Sequence, residues 1–73
     1  MYPHWRRIKL DGRRTGYRHN VTRVTVSPMS DGSWTCHNPK APPAAQIMHG
    51  STAMKALQAT GWGRLAYDWG FPC

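Results

Sequence analysis

The sequence predicts an α+β fold: a small antiparallel three-stranded sheet, with material for a fourth strand, packed against one helix. Three observations point to it. Two Asp-Gly pairs, Asp11-Gly12 and Asp31-Gly32, punctuate the first half. Asp-Gly between strand-like runs signals a hairpin, because glycine accepts the positive φ of a tight turn. Between the pairs runs Val-Thr-Arg-Val-Thr-Val-Ser, residues 21–27, whose β-branched side chains suit a strand. A Pro-rich stretch then separates this half from a proline-free segment with helical spacing of apolar residues.

With 73 residues the chain makes one domain. It divides into a basic β-rich part (1–38), a Pro-rich linker (39–43), a helix (44–60) and an aromatic C-terminal segment (61–73). A chain this short buries only about 60% of its unfolded surface, so its core has little stability to spare. Eight aromatic residues offset this, each able to remove roughly 150–250 Å² from water.

Taken in order, the first strand is expected at Trp5–Leu10. Residues Arg13 to Asn20 either pair back on it across Asp11-Gly12 or form a basic loop. If that hairpin closes on two residues, Lys9 and Arg14 face each other, and like charges directly opposite favour an anion between them. The next strands are Val21–Ser27 and Ser33–His37. Period-two alternation places Ile8, Leu10, Val24, Val26, Trp34 and Cys36 on a core face. It places Trp5, Arg7, Lys9, Arg23, Thr25, Thr35 and His37 on the opposite, basic one.

Asn38 to Pro43 reads as linker, since its prolines lack donors and resist both helix interior and sheet. Pro43 can open a helix that runs to Thr60, with Gly61 as its stop. Pro43, Ile47, Gly50, Met54, Leu57 and Gly61 then form one stripe for the sheet. Gly50-Ser51 is the weak point: glycine there costs about 1 kcal/mol relative to alanine. Ser51 could restart the helix as an N-cap, and Gly50 could allow close approach of helix and sheet. In the last segment Trp62 and Leu65 are expected to close the core. Tyr67, Trp69 and Phe71 exceed what so small a core absorbs, and exposed aromatics of this kind mark partner surfaces.

Ten Lys and Arg stand against three Asp and no Glu, a net charge of +7. Seven of the ten fall within residues 1–23: Arg6, Arg7, Lys9, Arg13, Arg14, Arg18 and Arg23. Such a concentration favours a polyanion, either nucleic acid or an acidic protein face. Tyr17 among the arginines adds a ring that could stack on a base.

Enzyme chemistry finds few groups. Two of the three carboxylates are explained by their turns, which leaves paired-carboxylate hydrolysis and acidic magnesium sites without residues. Cys36 and His37 are neighbours on a strand and point to opposite faces, so they make no nucleophile–base pair. No Cys or His pair has the local spacing of zinc ligands, and no phosphate-cradling glycine loop occurs. No catalytic residue, metal or cofactor is therefore expected. A ribonuclease needs only histidines and cations, and His4, His19 or His37 keep that alternative open. Two cysteines make no disulfide framework, so both are expected as free thiols. No apolar stretch follows His4-Trp5-Arg6-Arg7 and no window suits a membrane span, so neither secretion nor insertion is expected.

The basic head, absent Glu, dense Trp and short chain resemble small phage-encoded host-takeover proteins. That group includes RNA polymerase inhibitors that double as antiterminators, and CRISPR inhibitors. The strand hairpin followed by a helix also resembles double-stranded-RNA-binding and integrase arm-binding folds, without their signature residues. The first resemblance implies a non-enzymatic monomer in a bacterial cytoplasm that docks on RNA polymerase or another nucleoprotein complex. In that expectation the cations, with Tyr17, take nucleic acid or an acidic face, and Tyr67, Trp69 and Phe71 take protein. A CRISPR-type inhibitor and a stand-alone DNA or RNA binder are the other expectations.

Overall fold

The computed structural model describes residues 2–10 and 14–72. The Asp11-Gly12 turn, Arg13 and Cys73 lie outside the described residues. The fold is α+β, as the sequence predicts, with more strands than expected. Five antiparallel strands run as a meander in the order β1-β2-β3-β4-β5. They are β1 (Trp5–Lys9), β2 (Thr15–His19), β3 (Thr25–Pro28), β4 (Trp34–His37) and β5 (Ile47–Gly50), followed by one helix, α1 (Ala53–Ala59).

β1 and β2 settle the ambiguous segment: residues 15–19 form a strand paired with the first. The connection is one residue longer than a two-residue turn, with the Leu10 amide donating to the Arg14 carbonyl at 3.1 Å. Lys9 consequently faces Thr15, not Arg14 as expected, and Arg6 faces Arg18. A one-residue slip exchanges the faces of a strand. Trp5 and Arg7 pair with His19 and Tyr17, and Tyr17 pairs with Val26, which pairs with Cys36. Trp5, Arg7 and Lys9 therefore share the core side with Val26 and Cys36, which corrects the expected faces of β1. Ile8 takes the outer side, where it and Leu10 lie over Gly16.

The second Asp-Gly pair turns β3 into β4 as expected, with the Met29 amide bonded to the Ser33 carbonyl at 2.8 Å. The Asp31 carboxylate accepts from the Ser33 hydroxyl at 2.6 Å and the Ser33 amide at 3.0 Å. Those bonds, the hydroxyl's first, hold it below the usual carboxylate range.

The expected helix over 44–60 is only half helical. Pro43–Ala45 is a short 3-10 turn, and Ile47–Gly50 pairs with β4 as a strand. Gly50 explains the break. A side chain there would collide with the backbone of Lys55 and Ala56, so α1 can cross β5 only over a glycine. The N-cap is Thr52 rather than Ser51, its hydroxyl accepting from the Lys55 amide at 3.1 Å. The expected stripe is corrected too: α1 buries Ala53, Ala56 and Leu57, whereas Met54 and Ile47 are exposed. The chain turns away at Gly61, as predicted, with φ at 86°.

The core joins Trp5, Val24, Val26, Cys36, Ala53, Ala56, Leu57 and Leu65, with Trp62 and Phe71 packed at its margin. α1 covers β3 to β5. A 3-10 turn over Gly63–Tyr67 and the residues after it come back to β1. Trp5 is the joint. Its amide donates to the Trp69 carbonyl and its indole nitrogen to the Leu65 carbonyl, each at 2.8 Å. Its ring meets Phe71 edge-on at 5.0 Å. Among the described residues no helix is long and apolar enough to cross a membrane.

Candidate nucleic-acid interface

β1 is where the site is built, because its alternating side chains supply two different surfaces. On the outer face Arg6 lies directly opposite Arg18. Two guanidiniums in register repel each other unless something negative lies between or beside them. The β2–β3 turn brings a third, Arg23, next to them. Its four residues, Asn20 to Arg23, close with the His19 amide on the Val24 carbonyl at 2.8 Å. Arg23 adopts a left-handed backbone with φ at 66°, the one non-glycine residue of the described set to do so. Together with Arg7 and Asn20, these residues line an open hollow of about 230 Å³.

No described carboxylate neutralises this hollow. Among the described residues Asp31 is held by Ser33 in the β3–β4 turn, and Asp68 by His19. The Arg18 guanidinium donates to the Thr25 hydroxyl at a long 3.5 Å. The site can therefore offer several guanidinium donors to an anion, the donor type that recognises phosphate oxygens, while the Asn20 amide is engaged by the Tyr2 carbonyl and the His4 amide.

On the other side of β1 a wider groove, about 430 Å³, runs between the N-terminal residues and the C-terminal segment. Tyr2, His4, Arg7, Tyr17 and Trp69 line it, and Arg6 lines both hollows. Trp69 is 73% exposed. Its backbone is nevertheless fixed, since it bridges His4 in parallel and accepts from the Trp5 amide. Gly70 makes that approach possible: φ is 93°, and a side chain would come within 2.6 Å of the Trp5 carbonyl oxygen.

The expected site residues thus separate. Arg6, Arg7, Arg18 and Arg23 converge, with Tyr17 paired opposite Arg7. Lys9 is exposed farther along β1. Arg14 donates to the Pro28 carbonyl at 3.3 Å and turns elsewhere, while Arg13 is outside the described residues. Tyr67 is 89% exposed and stands outside the groove lining. Phe71, the third residue expected at a partner surface, is half-buried with its ring edge-on to Trp5.

The histidines weighed for ribonuclease chemistry stand apart in role. The His4 ring lies against Tyr2, and His37 is exposed on the outer face of β4. His19 is fully buried, its Nε2 2.7 Å from the Asp68 carboxylate. Its Nδ1 accepts from the Thr22 amide at 3.2 Å and the Val21 amide at 3.3 Å. Those donors fix the tautomer with the proton on Nε2. The pair ties the β2–β3 turn to the C-terminal segment. Burial pushes the Cys36 thiol up to about 11, only partly opposed by the Thr60 hydroxyl, so it is no nucleophile near neutral pH. Among the described residues no group of three or more His, Cys, Asp or Glu could hold a metal ion.

Sequence reasoning missed Tyr2, His4 and Asn20 as lining residues. Asn20 carries a readable signal, since Asn favours hairpin turns and here accepts from the His4 amide at 2.8 Å. Comparison with protein-family models, curated proteins and solved structures finds no significant match, so the chemistry of these two hollows is what bears on function.

Proposed function

We propose that this protein is a non-enzymatic binding module that docks on a nucleic-acid-processing machine by gripping phosphates in the arginine hollow. One observation carries the reading. Arg6, Arg7, Arg18 and Arg23 surround one cavity while the described carboxylates are engaged elsewhere. Assembling uncompensated guanidiniums costs repulsion, which a polyanion relieves. The resemblance in size, charge and layout to small phage-encoded host-takeover proteins supports a transcription complex in a bacterial cytoplasm as the target. In this reading the protein acts by occlusion or by stabilising one conformation, without turnover. Arg6→Ala/Arg18→Ala should weaken binding to nucleic acid at least tenfold, each phosphate contact being a charge-assisted bond worth about 1.5–3 kcal/mol. Unchanged affinity in that double variant would remove the hollow from the interface.

A second reading, docking on the protein part of RNA polymerase or a CRISPR effector, is favoured by Tyr67, whose ring is almost wholly exposed outside the groove. Affinity capture from a bacterial lysate separates the two. Partners retained after nuclease treatment, and lost in Tyr67→Ala, support the protein interface.

A further inference from the structure

The arginine hollow accounts for the charge of this surface but leaves the aromatic groove on the other side of β1 without a task. We infer that the groove is a nucleobase site, so that the protein takes single-stranded nucleic acid, with a base on Trp69 and the adjoining phosphates in the arginine hollow. The inference rests on the phosphate reading above and adds to it what the phosphates belong to.

The groove has the composition such a site needs. The Trp69 indole and the Tyr2 and Tyr17 phenols are flat faces, and Arg7 stands opposite Tyr17 in the strand register. No described carboxylate lines it. Stacking on indole or phenol tolerates any base, and a neighbouring guanidinium adds attraction to the same π-systems.

Trp69 is also held ready. An exposed indole on a frayed tail would have to be ordered by its ligand. Here the backbone is already pinned by the Trp5 amide, by the bridge to His4 and by Gly70 against the Trp5 carbonyl. Fixing the platform in advance removes an ordering cost from binding.

The two hollows lie on opposite faces of β1, share Arg6 and Arg7, and beyond the bridge at His4 the residues Arg7 to Lys9 pair only with β2. A flexible single strand can pass that side and present a phosphate to one face and a base to the other. A duplex cannot, because its bases are stacked inside and taking one out requires unpairing it.

The test compares three labelled probes by fluorescence anisotropy: a single strand of about 12 thymidines, an abasic strand of equal length and charge, and a duplex. The thymidine strand is expected to bind about tenfold more tightly than either of the others and to quench tryptophan fluorescence. Trp69→Ala should abolish that preference while leaving affinity for the abasic strand within about twofold, and Trp69→Phe should restore it. Exposure of the indole makes Trp69→Ala a mild change for folding, which circular dichroism verifies. Equal affinity for thymidine and abasic strands, or tighter binding of the duplex, overturns the base site and leaves the phosphate reading standing. A Trp69→Ala protein with all three affinities unchanged overturns it as well. No affinity for any probe overturns both readings.

Discussion

Arg23 sits in the left-handed region at the end of the β2–β3 turn, where glycine would be unstrained and an L side chain costs about 1–2 kcal/mol. The position therefore separates stability from binding. Arg23→Gly relieves the strain but gives an unfolded chain more freedom to lose, about 0.5–1 kcal/mol, so its stability should stay level or rise slightly. Its affinity for nucleic acid should fall together with the salt dependence. Chemical denaturation and a salt titration on the same variant check both, and a destabilised Arg23→Gly would show that the guanidinium is structural. Cys36 gives a second test at this scale. Its thiol is neutral when folded and ionises near the ordinary value of 9.0 when unfolded. The unfolded chain loses its proton first, so stability is intact below about pH 9 and declines as pH rises towards 11. The decline amounts to roughly 2–3 kcal/mol at about 1.4 kcal/mol per pH unit. Cys36→Ala should remove that part of the alkaline decline, and the native thiol should resist alkylation near neutral pH.

The C-terminal segment is the element on which the site depends, since it both covers Trp5 and carries Trp69. The side-chain bond between Asp68 and His19 ties it to β2. Asp68 accepts from a buried imidazole whose other nitrogen is already engaged by the turn. Asp68→Ala leaves the His19 Nε2–H without a partner, at a cost of about 1–3 kcal/mol. It should loosen the segment before the sheet, seen as faster amide exchange at Trp5 and Trp69 than in β3. Equal exchange throughout would mean that the segment and sheet open as one unit. The elements also show what the sequence made readable. β3 and β4 were legible because β-branched residues and an Asp-Gly turn act locally. The strand expected from Val21 nevertheless begins only at Thr25, residues 21–23 being spent on the β2–β3 turn. β5 was not: Ile47, Gly50 and Met54 fit a helical stripe, and only the passage of α1 over Gly50 makes the strand the better solution. The faces of β1 came out reversed from the sequence expectation for a similar reason. Ile8 and Leu10 suggest one side, and a single Trp5 with partners some 60 residues away decides for the other. The arginine cluster was visible as charge. Which arginines meet was not, because the Arg6–Arg18 pairing depends on one extra residue between β1 and β2.

At the scale of the whole molecule, charge and shape divide the labour. Net charge of +7 draws a polyanion to any face, but the described carboxylates lie away from the outer side of β1 and β2. The field is therefore concentrated there, on the face of the sheet opposite α1. A site of this kind leaves a thermodynamic signature. Each phosphate neutralised on a single strand releases condensed counterions and contributes about −0.7 to the slope of log affinity against log salt. Four arginines acting together predict a slope near −3, so affinity should drop by about fiftyfold to sixtyfold between roughly 50 and 200 mM salt. Arg6→Ala, Arg18→Ala and Arg23→Gly should each reduce the slope by about 0.7, whereas Lys40→Ala and Lys55→Ala, away from β1, should leave it unchanged. Trp69→Ala should lower affinity at every salt concentration without altering the slope, because stacking releases no counterions. Equal effects of all cations on the slope would mean attraction by net charge alone, with no built site on β1.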